Sequence, residues 1–90
     1  MRTAVKHLAS PDFWGHYRNL PEDVQKLADK NFELLKADPR HSSLRLKKIG
    51  GFWTARVGLR YRAIAYEHQE GLIWVWIGDH KDYDRLLKRQ

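Results

Sequence analysis

The sequence predicts an α+β domain: a sheet covered on one side by a pair of helices. Three observations carry that prediction. Apolar residues recur at helical spacing between residues 10 and 37. Beyond Pro39 the period drops to two. Four alternating or apolar runs then follow one another, separated by glycine or polar turns. The order is β-α-α-β-β-β-β, read as an antiparallel sheet packed on one side by the helix pair. At 90 residues the chain is one domain spanning 1–90.

Residues 3–8 alternate weakly and form the first expected strand. Ser10-Pro11-Asp12 is a helix start: the serine hydroxyl can accept from orphan amides, proline suits the first turn, and aspartate complements the dipole. Phe13, Trp14, Tyr17 and Leu20 continue that helix, and Pro21 with Glu22 and Asp23 begins another. Val24, Leu27, Ala28, Phe32 and Leu35 make one stripe, and Asp38-Pro39 ends it, because a residue before proline avoids the α region. Leu44 and Leu46 alternate with Arg45 and Lys47 as a strand with one wet face. Gly50-Gly51 turns into a strand with Trp53, Ala55 and Val57 on one face. Gly58 reverses it into Tyr61, Ala63 and Ala65. After a polar turn at 67–71, Leu72–Ile77 is apolar on both faces, as a central strand should be. The polar tail from Asp79 has room for a short helical turn. The face with the alanines should receive the helices, leaving Thr54, Arg56, Arg62, Ile64 and Tyr66 on a basic, partly aromatic surface.

Composition narrows the function classes. The chain has no cysteine, which excludes disulfides, thiolate metal sites and cysteine nucleophiles. It has no apolar run of membrane-spanning length and no signal-peptide pattern at its start, so a cytoplasmic location is expected. The net charge is +6, and its placement is informative: residues 39–66 hold seven Lys or Arg and no Asp or Glu. The remaining 62 residues hold ten cations against all eleven carboxylates. A basic block of this kind is the footprint of a polyanion binder, nucleic acid above all.

Phosphate-binding glycine loops, nucleophile elbows and paired histidines at metal-ligand spacing are absent, so neither metal nor cofactor is expected. Arg56 and Arg62 lie on adjacent strands of one hairpin, where two guanidinium groups can converge on one phosphate. His80 follows the last strand, and histidine's ordinary pKa of about 6.5 suits proton transfer; capping the sheet edge or packing on Trp76 is the alternative. Tyr83 could donate a proton, stack on a base or anchor the C-terminal segment. Arg45, Lys47, Lys48 and Arg60 are candidates for holding a nucleic-acid backbone.

The run Phe52-Trp53-Thr54-Ala55-Arg56-Val57-Gly58-Leu59-Arg60-Tyr61-Arg62-Ala63-Ile64, followed by Trp74-Val75-Trp76-Ile77-Gly78-Asp79-His80-Lys81-Asp82-Tyr83-Asp84, resembles the RelE/ParE superfamily of type II toxins. Leu20-Pro21 and Asp38-Pro39-Arg40-His41-Ser42-Ser43-Leu44 resemble it too, so the likeness spans nearly the whole chain in order. It implies a toxin neutralised by an antitoxin encoded beside it. Members similar to RelE are metal-independent ribonucleases that cut messenger RNA on the ribosome, whereas members similar to ParE bind DNA gyrase. A third possibility is an inactive member that only binds its antitoxin. Under the first reading Arg56 and Arg62 match basic positions that hold the scissile phosphate. His80 matches an acid–base position, and Tyr83 a nearby tyrosine. Thr54 departs from the pattern, because RelE has a lysine there; Lys47 or Lys48, on another strand, would have to substitute.

Overall fold

A computed structural model describes residues 6–69 and 71–88 of the chain. The elements in order are β1 (Lys6–Ala9), α1 (Pro11–Arg18), α2 (Glu22–Ala37), a 3-10 turn (Ser42–Leu44), β2 (Lys47–Ile49), β3 (Phe52–Val57), β4 (Tyr61–His68), β5 (Gly71–Asp79) and α3 (His80–Lys88). The fold is α+β, as expected. Residues 3–5 of the first expected strand lie outside the described residues.

Both central helices form for the reasons the sequence offers. The Ser10 hydroxyl accepts from the Phe13 amide at 3.2 Å, and Pro11 opens α1. Ala28 and Leu35 are buried on the inner stripe of α2, and Asp38 leaves the helix with extended backbone ahead of Pro39. The two-residue Gly50-Gly51 loop joins β2 to β3. Gly58 turns β3 into β4 at a φ of +68°, and a side chain there would also strike Leu27 of α2 at 2.7 Å.

The sheet runs β1-β5-β4-β3-β2. Here the structure corrects the expectation of a wholly antiparallel sheet. β2 to β5 form an antiparallel meander, but β1 pairs parallel with β5, His7 opposite Leu72 and Ala9 opposite Trp74. The Ser10 amide extends that ladder with a 3.0 Å bond to the Trp74 carbonyl before α1 departs. Two further corrections concern boundaries. Leu44 ends a 3-10 turn and Arg45 adopts left-handed backbone (φ 48°), so the expected strand there begins only at Lys47. Leu44 and Leu46 are still the inward residues, Leu44 at 1% exposure. Alternation therefore recorded burial without a ladder. The C-terminal segment is a full helix of nine residues.

Pairing register separates the two faces. Trp53, Ala55, Val57, Tyr61, Ala63 and Ala65 share the first face, where the alanines let α1 and α2 approach. Leu20, Ala28, Leu35 and Leu44 complete that core with Leu72, Trp74 and Ile77 of β5. An irregularity in β5 divides its tryptophans. Ala65 pairs with Trp74 but Ile64 with Trp76, so Val75 is an extra residue. Residues two apart in a regular strand share a face; the bulge instead sends Trp74 into the first-face core and Trp76 to the second face.

His7 gives the core a pH-sensitive edge. Its Nδ1 accepts from the Trp74 Nε1–H at 3.2 Å, and its ring stacks on the indole. Burial, with a smaller contribution from Lys36, holds its pKa below the ordinary histidine value. Unfolded His7 therefore binds protons that folded His7 refuses. The stability it contributes is complete above the unfolded pKa of about 6.5 and is lost as pH falls from there through the folded value. A protonated ring also leaves the buried indole N–H without an acceptor. Denaturant midpoints measured between about pH 7.5 and pH 5 should fall with acidification, and His7→Gln should flatten part of that slope. An unchanged slope would remove His7 as its source.

Candidate nucleic-acid interface

The second sheet face carries the candidate site. The row nearest the β3–β4 turn places Arg56 of β3 directly opposite Arg62 of β4, and Arg62 opposite Gly78 of β5. Facing residues in such a pair have Cβ atoms about 4.5–5.5 Å apart. Among the described residues no carboxylate forms an ion pair with either arginine. Arg62 is nevertheless anchored: its Nη1 donates to the Tyr61 carbonyl at 2.9 Å and reaches the Leu59 carbonyl at 3.5 Å. That fixes one nitrogen of the guanidinium and leaves its other donors for a ligand. Arg56 is positioned through its backbone, whose carbonyl accepts from the Asn31 amide of α2 at 3.5 Å.

The remaining candidates divide. Lys47 pairs with Thr54 and so lies on the second face, diagonal to Arg56. Lys48 pairs with Trp53 on the first face, where its ammonium meets Glu67 at 3.0 Å. The Trp53 indole N–H, then Lys48, hold the Glu67 carboxyl below its usual range. The structure thus ties Lys48 to a carboxylate on the far face from the arginine pair. Arg45 sits in the loop before β2 and Arg60 on the exposed β3–β4 turn. Thr54, where the resemblance looks for a lysine, is buried at 3% exposure.

The Arg60 carbonyl accepts the His80 amide at 2.7 Å, so the first residue of α3 is fastened to the turn that carries Arg60. The Asp79 carboxylate caps the same helix end by accepting from the Lys81 amide at 2.6 Å. His80, half-buried, therefore stands at the same end of the sheet as Arg56, Arg60 and Arg62. Tyr83 is buried at 8% exposure, outside the principal core, as is Ile64. Asp82 and Leu86 border Trp76 and Gly78. α3 thus covers part of the second face, which corrects the picture of that face as wholly open surface. What stays open is an apolar row, Ile49, Phe52, Tyr66, Ile73 and Leu8, in which Leu8 is 52% and Tyr66 49% exposed. Sequence reasoning missed Asp79 as the cap of α3; its place before a helical segment was the available signal.

A two-layer α+β domain presenting paired cations on the face away from α1 and α2 is the class that fold and site define. No protein-family model matches the chain, and no curated protein matches it in sequence. Solved structures do match. It is similar to a chain of the RelB–RelE antitoxin–toxin complex from Methanococcus jannaschii, with TM-score 0.68 and 20% identity over 87% of this chain and 96% of that one. It is similar to a chain of the archaeal RelE–RelB complex from Pyrococcus horikoshii, with TM-score 0.68 and 14% identity over 86% and 96%. The isolated E. coli RelE toxin gives TM-score 0.61 and 16% identity over 96% and 98%. The fold is RelE-like.

Proposed function

We propose that this protein is the toxin of a toxin–antitoxin pair and a metal-independent endoribonuclease that cleaves messenger RNA on the ribosome. The observation that carries this reading is the Arg56–Arg62 pair. Like charges directly opposite across a ladder destabilise a sheet, and here no carboxylate among the described residues offsets them. A bridging phosphate converts that repulsion into binding. The RelE-like fold and the RelE toxins that share it support the same reading.

In the reaction the 2′-oxygen loses its proton and attacks the adjacent phosphorus. The 5′-oxygen leaves with a proton, and a 2′,3′-cyclic phosphate remains. Arg56 and Arg62 stabilise the charge gathered on the phosphorane, which no added metal then needs to carry. His80 transfers a proton to or from these oxygens, with Lys47 beside the phosphate and Arg45 and Arg60 along the RNA or ribosomal backbone; Lys48, engaged by Glu67 on the opposite face, is not part of that path. Tyr83 assists by holding α3, and with it His80, in place. The open apolar row and the adjacent arginines suit an antitoxin segment that brings both apolar side chains and carboxylates.

Induction of the chain without its antitoxin should stop protein synthesis before DNA synthesis, as followed by pulse labelling, and purified protein should cut messenger bound to ribosomes. Arg56→Thr should abolish the arrest while leaving thermal stability equal or higher, because it removes the like-charge contact. A fall in DNA synthesis first, with no cleavage, would transfer the reading to a gyrase-binding toxin. Neither arrest nor cleavage would leave an antitoxin-binding member.

A further inference from the structure

Beside the arginine pair a cleft of about 280 Å³ opens along the edge of β5 against α3, bordered by Trp76, Ile77, Gly78, Asp82, Arg85 and Leu86, with His16 of α1 at its side. The cleft adjoins the phosphate row directly, because Gly78 is the cross-strand partner of Arg62. Trp76 lies over position 78: a Cβ built there would stand 2.6 Å from its Cζ2 and 2.9 Å from its Cη2. The glycine thus allows an indole ring to lie across the backbone one strand away from the guanidinium. The His16 ring is 6.0 Å from the indole, tilted by 57°.

The polar groups of the cleft form a complementary couple. Arg85 Nη2 and the Asp82 carboxylate stand 3.4 Å apart, one turn apart on α3, with 72% and 57% of their side chains exposed. An exposed pair of this kind is worth little to the fold and is free to exchange partners. A carboxylate can only accept and a guanidinium can only donate. Guanine offers the matching edge: its N1–H and N2–H groups donate side by side, and its O6 and N7 accept. Adenine places its amino donor where guanine carries O6, opposite Arg85, and cytosine and uracil have a smaller stacking face. An aromatic platform, a carboxylate and a guanidinium beside a phosphate clamp make a nucleotide site.

We propose that Trp76, Asp82 and Arg85 form a guanine subsite, in which the indole stacks on the base, Asp82 accepts from N1–H and N2–H, and Arg85 donates to O6. The phosphate of the same nucleotide then reaches Arg62. The inference rests on the ribonuclease reading for its purpose, but its chemistry is testable without cleavage.

The probe is guanosine 3′-monophosphate, titrated into the intact protein and followed by the Trp76 indole N–H resonance, beside the adenosine, cytidine and uridine 3′-monophosphates. Guanosine should bind roughly 10- to 100-fold more tightly than adenosine, the discrimination expected of one bidentate base contact. The double variant Asp82→Ala with Arg85→Ala, which removes both base contacts, should bring the four nucleotides close together. Gly78→Ala, by displacing the indole, should weaken all of them alike, while Lys30→Ala on the exposed side of α2 should change nothing. Equal affinity for the four bases, or guanine selectivity that survives Asp82→Ala with Arg85→Ala, overturns the subsite. Guanine-selective binding without messenger cleavage upholds the subsite and removes the ribonuclease reading instead. Cleavage with no base preference at any flanking position does the reverse.

Discussion

Replacing Arg62 by alanine is expected to lower messenger cleavage on the ribosome by about 10²–10³-fold, the loss that follows removal of one preorganised donor aimed at a developing oxyanion. The size follows from how the side chain is held. Its Nη1 is already committed to the Tyr61 and Leu59 carbonyls, so the remaining donors meet the phosphorane with little reorganisation. Arg62→Lys should recover only a small part, because an ammonium cannot bond the carbonyls and span two phosphate oxygens together. Single-turnover cleavage reads the loss, and equilibrium binding to ribosomes should change far less. A variant that cleaves within a few fold of the parent would assign the clamp to Arg56 alone.

His80→Gln is expected to cost roughly 10²-fold in the same assay with ribosome binding intact, since glutamine keeps hydrogen bonding but cannot shuttle a proton. The backbone at this position does separate structural work: the His80 amide is bonded to the Arg60 carbonyl, and Asp79 caps the helix that follows. Glutamine preserves both contacts, so thermal stability should hold. A parental rate in His80→Gln would move the proton-transfer role to Lys47, which shares the arginine face. Tyr83→Phe separates the last candidate: if Tyr83 only anchors α3, the phenylalanine variant should cleave at close to the parental rate.

The candidate site was partly legible in the chain. A hairpin closed at Gly58 determines which residues face each other, so the Arg56–Arg62 pairing follows from residue order and side-chain period. Alternation likewise separates Lys47 from Lys48, and the structure adds that Glu67 engages the second of them. Tyr83 was open between proton donor and anchor. Its burial comes from the packing of α3 on β4 and β5, which no local pattern encodes.

Taken alone, the sequence determined the elements that depend on neighbours along the chain: a helix capped by Ser10 and a second stopped ahead of Pro39, the glycine turns, the alternating strands and the arginine pair on one hairpin face. These are set by backbone propensity and side-chain period within a few residues. Tertiary structure decided the rest. It placed β1 parallel beside β5 and left Leu44 as the inward residue of a turn. It laid α3 over the second face, and it inserted Val75 as a bulge that sends Trp74 to the core and Trp76 to the cleft. Each of these brings together segments distant in sequence. Their energies come from burial shared between partners, and a single run of residues does not carry the partner's half.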